Sequence, residues 1–199
     1  MTGTTPATRI VELPTRWIRD HMHEALAIYG AAMGYDEAVV TGRYGYAIAH
    51  TERSGFRAVG AFTADPTRDG ADGERLVGFG YGYLVAPGQW WHDQVRAALD
   101  RRTAKRWLPG GFEVCELHVH PDHQSRGIGR RLLHALVEGT DAPAALLSTP
   151  DADTKAFRLY HEDGFVDLAR SYHFPGDARP FAILAARLPL QPRPASGSA

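Results

Sequence analysis

The sequence predicts a single mixed α/β domain, and three observations carry that prediction. An apolar segment free of glycine and proline, residues 112–120, is followed by a glycine-containing turn. A helical pattern comes next, with Leu132, Leu133, Leu136 and Val137 at i, i+1, i+4 and i+5. Further strand-like and helix-like segments alternate along the rest of the chain. Finally, 199 residues of which 44% are hydrophobic suffice for one well-buried core and are short for two.

Taken in order, residues 8–13 alternate as a first strand and Pro14 interrupts them. Trp17, His21, Leu26, Ile28 and Tyr29 then sit near helical spacing, predicting a helix over 17–32 that Gly34 ends. Residues 35–45 read as a polar loop, and 46–50 and 57–63 as two antiparallel strands. A turn-rich stretch, 65–73, precedes a strand over 75–85. Trp91, Val95, Ala98 and Leu99 predict an amphipathic helix within 87–110, closed by Pro109-Gly110-Gly111. Its neighbours Trp90, Trp91 and Trp107 could line a substrate pocket or pack the helix on the sheet. Beyond the central helix, 144–148 is a short strand, Asp151 or Asp153 can cap a helix over 154–162, and 165–174 and 181–188 close the fold as strands. The domain is expected to span 9–190, with a disordered start at 1–8 and a flexible tail at 191–199.

Composition narrows the function classes. A net charge of −1 gives no field of one sign, which argues against nucleic acid or an anionic membrane as main partner. No apolar run approaches a membrane span, and residues 1–8 have neither the basic nor the apolar part of a secretory leader. The single Cys115 cannot close an internal disulfide. These features predict a cytoplasmic protein.

The turn carries the chemistry. A strand, a glycine turn and a helix start present unpartnered backbone N–H groups at the positive end of the helix dipole. Gly127 and Gly129 let the backbone approach an anion, and Arg126, Arg130 and Arg131 add positive charge. Neither a dinucleotide fingerprint nor a P-loop fits the spacing. What stands there is Gln124-Ser125-Arg126-Gly127-Ile128-Gly129, a Q-x-x-G-x-G preceded by Glu116-Leu117-His118-Val119-His120-Pro121 and followed by Arg130-Arg131-Leu132-Leu133. This resembles the acetyl-CoA pyrophosphate loop of the GNAT superfamily of N-acetyltransferases. Residues 156–165, AFRLYHEDGF, resemble a second segment of that superfamily.

The resemblance implies a mixed, mostly antiparallel twisted sheet flanked by helices, with splayed central strands and the helical stretch 87–110 as an insertion. It implies acetyl-CoA as co-substrate, held by Gln124, Ser125, Arg126, Gly127, Ile128, Gly129 and Arg130. The main chain of Leu117, His118 and Val119 would take the pantetheine arm. It implies direct acetyl transfer to a primary amine on a small molecule or peptide, no resident metal, and allows a homodimer. Tyr160 matches the tyrosine that commonly protonates the leaving thiolate: a phenol of pKa about 10 can supply a thiolate of about 8.5. The other reading of Tyr160 is a structural ring under the loop. Glu116 is the candidate base, with orienting or structural roles as alternatives, and the bulge common in this strand would change which residues share its face. His118, His120, Asp122 and His123 also invite a metal reading, which Pro121 and the anion loop disfavour. Asp153 departs from the family's usual asparagine, which puts that cofactor contact in doubt. Acceptor choice would fall to residues 31–46, where Asp36 and Glu37 suit a cation, and to 172–180. Rival readings are a different acyl group or acceptor, and a non-catalytic acyl-CoA sensor.

Overall fold

The computed structural model describes residues 7–65 and 73–191. The expectations for the chain start, the turn-rich stretch 65–73 and the tail fall mostly outside them. Among the described residues, seven strands form one sheet: β1 (Arg9–Leu13), β2 (Arg57–Ala64), β3 (Glu74–Leu84), β4 (Phe112–Val119), β5 (Ala144–Pro150), β6 (Val166–Tyr172) and β7 (Phe181–Arg187), in the order β1-β2-β3-β4-β5-β7-β6. Among the described residues, the β4–β5 ladder is the parallel one and has two registered pairs, Phe112 with Ala145 and Glu113 with Leu146; the ladders of β1–β2, β2–β3, β5–β7 and β6–β7 are antiparallel. The chain divides into two compact units, residues 1–83 with 115–139 and residues 84–114 with 140–199.

In the first unit, β3 sets the packing by alternation. Phe79, Tyr81 and Tyr83 are buried against α1 (Thr15–Asp20), α2 (Met22–Met33) and α3 (Glu37–His50), around Ile18, Met22 and Leu26. On the opposite face the same strand carries Gly78 and Gly80. A Cβ there would lie 3.2 Å from Leu132 Cδ1 and 2.8 Å from Leu117 Cδ1 respectively. Glycine at these positions lets α6 (Ile128–Glu138) bury Leu132, Leu133 and Leu136 completely, each burial contributing about 1.5–3 kcal/mol. Arg57 of β2 donates to the carbonyls of Leu136 (3.1 Å) and Gly139 (3.0 Å), placing positive charge at the C-terminal end of that helix.

Two expectations fail in this unit. The helix over 17–32 is two helices, broken at His21, whose ring stacks on Trp17 and whose Nδ1 bonds the Trp17 carbonyl at 2.8 Å. The loop 35–45 and strand 46–50 are one helix, α3. Asp36 caps it, accepting from Val39 N at 3.0 Å, while Val40, Tyr44, Ala47 and Ile48 sit at helical spacing and pack into the α1–α2 cluster. Gly42 and Gly45 face open space. Their cost of about 1 kcal/mol each is offset by that buried face, so β2 pairs with β1 and β3 instead of with 46–50.

The second unit packs α4 (Trp90–Ala98) and α5 (Arg101–Trp107) on β5 and β7, burying Trp91, Val95, Leu99, Trp107 and Leu108 against Leu146, Ile183 and Ala185. The single helix expected here is thus two, divided where Asp100 accepts from Arg102 N (2.8 Å) and Thr103 N (3.0 Å). Trp91 donates to Ser148 Oγ at 3.1 Å, so Trp91 and Trp107 are core residues, while Trp90 is 54% exposed. The cap of α7 (Lys155–Glu162) is Thr154, accepting from Phe157 N at 3.0 Å, rather than Asp151 or Asp153. Asp151 instead binds Arg170 and accepts from Ser171 N at 2.6 Å, and Asp153 pairs with Arg158 at 2.5 Å.

Candidate active site

Strand β4 ends where His120 N donates to Val77 O at 2.9 Å. Pro121 then opens one 3-10 turn, Pro121–His123. Two side chains hold the loop in shape: Gln124 Nε2 donates to Val119 O at 3.1 Å and Arg126 Nη2 to Asp122 O at 2.9 Å. Ser125 (φ 62) and Gly127 (φ 73) both adopt left-handed backbone, which glycine accepts without the strain of a Cβ. Gly127 is the N-cap of α6; no side chain caps it and no acidic residue occupies the first turn. With neither a capping side chain nor a first-turn acid, this helix start fits a diphosphate. Ser125, Arg126, Gly127 and Arg130 are exposed, whereas Ile128 is buried, so it can serve such a ligand through its backbone only.

The strand before the loop has two different edges. The carbonyls of Glu116 and His118 face β3, lying 3.2 and 3.0 Å from where a Cβ on Gly80 or Gly78 would stand. Alternation therefore turns the N–H and C=O of Leu117 and Val119 to the opposite edge. Of the three residues expected to offer main-chain groups there, His118 is directed to β3. Cys115 and Glu116, although consecutive, both reach the α3 side: Cys115 Sγ lies 3.6 Å from His50 Nδ1, and Glu116 binds Arg43. Two consecutive side chains reaching one side depart from strict strand alternation.

Glu116 is buried at 4% exposure and both its oxygens are occupied. Oε1 accepts from Arg43 Nε at 3.0 Å and from Arg43 Nη2; Oε2 accepts from His118 Nε2 at 2.6 Å. Burial opposes the negative charge, but the His118 bond and the Arg43 charge outweigh it and hold the carboxyl at about 2. Tyr29 meets the His118 ring edge-on at 5.1 Å, and Arg43 lies over the Tyr29 ring. Beside this group, His50 Nδ1 is 3.2 Å from Tyr81 Oη. Burial, then the charges of Arg53 and Arg43, lower the His50 pKa to about 4. Further along, His123 Nε2 accepts from Arg75 Nη2 at 3.0 Å, and no cluster of three metal-ligating side chains occurs among the described residues.

Tyr160 lies in the second unit, on α7, 7% exposed, with its ring 5.5 Å from that of Phe165. Arg43 and His50 were missed from the sequence because they sit on the segment read as loop and strand. The i, i+4, i+7, i+8 spacing of Val40, Tyr44, Ala47 and Ile48 was the signal that could have found them.

An uncapped glycine turn opening a helix after β4, with a parallel ladder of two pairs in a mostly antiparallel sheet, accords with the GNAT acetyltransferase fold, and by its similarity to a known member the chain belongs to that family. The family model described as an acetyltransferase (GNAT) domain matches residues 71–167. Over 91% of its length the chain is 37% identical to a GCN5-like protein acetyltransferase of Mycobacterium tuberculosis, covering 98% of that protein. The fold is similar to that of a GNAT-family acetyltransferase from Desulfovibrio desulfuricans (16% identity, TM-score 0.59, 91% of this chain and 99% of that one). It is also similar to the PaiA N-acetyltransferase of Thermoplasma acidophilum, solved in complex with coenzyme A (17% identity, TM-score 0.55, 91% and 99%). No described helix is long and apolar enough to cross a membrane.

Proposed function

We propose that this protein transfers an acetyl group from acetyl-CoA to a primary amine on a protein or peptide, in a ternary complex. The observation that carries the reading is the start of α6, where the loop from Gln124 to Arg130 reaches helix with left-handed Gly127 at its cap and neither a capping side chain nor an acid in its first turn. The first-turn N–H groups, the helix dipole and Arg126 and Arg130 hold the diphosphate. Gln124 keeps the loop folded onto the end of β4. The outward main-chain groups of Leu117 and Val119 take the pantetheine amides in the manner of an added strand. One of those N–H groups faces the charge that develops on the acyl oxygen. When bound, acetyl-CoA supplies the activated acyl group. Tyr160 gives the departing sulfur its proton. A protein or peptide acceptor is favoured over a small molecule by the 37% identical relative, which is named a protein acetyltransferase.

The test is thiol release from acetyl-CoA in the presence of an N-terminally blocked lysine peptide, with binding followed by calorimetry. Binding together with amine-dependent thiol release and acetylated peptide is the expected result. Binding without release would leave a sensor module. Tyr160→Phe is expected to lower turnover at least tenfold with little change in acetyl-CoA affinity; unchanged turnover would assign the ring a structural role.

A further inference from the structure

The amine must lose a proton before it attacks, and Glu116 is poorly placed to take it. Its carboxylate is buried, ionised and bonded at both oxygens. A group whose lone pairs are taken and whose charge is that well satisfied has little affinity for another proton. The side chain it holds is different. Because ionised Glu116 can only accept, the 2.6 Å contact requires the proton on His118 Nε2. The neutral ring then presents its lone pair at Nδ1, which has no partner among the described residues, on a side chain that is still 13% exposed.

Resting on the function proposed above, we propose that His118 is the general base, with its ring nitrogen Nδ1 as proton acceptor, and that Glu116 and Arg43 are positioning residues that fix its tautomer. The groups facing His118 are Glu116 from its own strand, Arg43 from α3 and Tyr29 from α2, with Phe79 of β3 packed alongside. Arg43 anchors Oε1, so the carboxylate cannot rotate away from His118. The ammonium gives one proton to Nδ1, and Glu116 faces the resulting imidazolium through Nε2–H. The amine nitrogen then forms its bond to the acyl carbon as the carbon–sulfur bond breaks. The second nitrogen-bound proton passes to solvent as the sulfur gains one from Tyr160; solvent returns a proton to the Tyr160 phenolate, and His118 gives its own up to solvent.

The experiment compares two acceptor peptides. In one the acceptor is lysine, protonated at pH 7; in its aminooxy analogue the acceptor nitrogen is neutral at that pH. His118→Gln is expected to lower kcat for the lysine peptide at least thirtyfold and for the aminooxy peptide less than threefold, with acetyl-CoA affinity unchanged by calorimetry. An equal loss for both peptides, or no loss, overturns the proposal. If the wild-type protein binds acetyl-CoA but acetylates neither peptide, the transferase reading fails and this proposal with it. If the variant does not fold, imidazole nitrogen NMR of the wild-type protein decides: the neutral His118 ring is expected to carry its proton on Nε2, and a proton on Nδ1 overturns the assignment.

Discussion

At the scale of single residues, the group that decides the site is Arg43. Its Nε and Nη2 bind a carboxylate 73 residues further along the chain. Truncating one partner of a buried ion pair leaves the other charge uncompensated. Arg43→Gln is therefore expected to destabilise the fold by about 3 kcal/mol, read as a lower denaturant midpoint, and Glu116→Gln in the same chain should restore most of the loss. If the double variant is no more stable than the single one, the pair does not couple. His50 adds a pH dependence. Half-buried and facing two arginines, it is held at about 4 against an ordinary 6.5. Between those values the unfolded chain binds a proton that the folded protein refuses, so stability falls on acidification through that window. The loss is on the order of 2 kcal/mol once solvent screening is allowed for. His50→Gln should flatten the stability profile from pH 6.5 to 4; an unchanged profile would place the titration elsewhere. Glu116 was legible in the sequence as a residue of consequence. Its partnership was not, because nothing in local spacing tells a strand carboxylate which distant cation will cover it.

At the scale of elements, the sequence spoke clearest where local chemistry is strong. The start of α6 was legible from its glycines and from the leucines at i, i+1 and i+4, because a helix that buries three leucines on one face declares itself by period alone. The glycines of α3 misled for the opposite reason: Gly42 and Gly45 lie on its open side, and tertiary burial of the other face overrode their low propensity. The divided helices at His21 and Asp100 turn on side chains that bond nearby backbone, which a hydrophobic pattern does not register. Gly127 gives the element-scale prediction. Its φ of 73 is costly for a β-branched residue, by about 1–2 kcal/mol, and relaxing it would rotate the first-turn N–H groups off their common target. With open space around that position, Gly127→Val should keep the fold yet weaken coenzyme A binding tenfold or more by calorimetry. Unchanged affinity would move the diphosphate away from this turn.

At the scale of the whole molecule, the mixed, mostly antiparallel sheet was legible only through family resemblance, and the order of its strands was not legible at all, since pairing is a property of residues far apart in sequence. The consequence that can be measured globally is linkage. A ligand that binds only the folded state stabilises it by about 2.7 kcal/mol at a hundred times its dissociation constant. For a chain of this length that corresponds to a rise in Tm of about 5–10 °C. Acetyl-CoA should produce that rise in the wild-type protein, coenzyme A a similar one, and adenosine a much smaller one, since it lacks the diphosphate that the α6 turn would hold. Gly127→Val should lose most of the rise while its ligand-free Tm stays within a few degrees of wild type, because strain at an exposed turn costs little beside the buried leucines of the same helix. A rise that survives in Gly127→Val would show that the diphosphate is held by some other part of the chain.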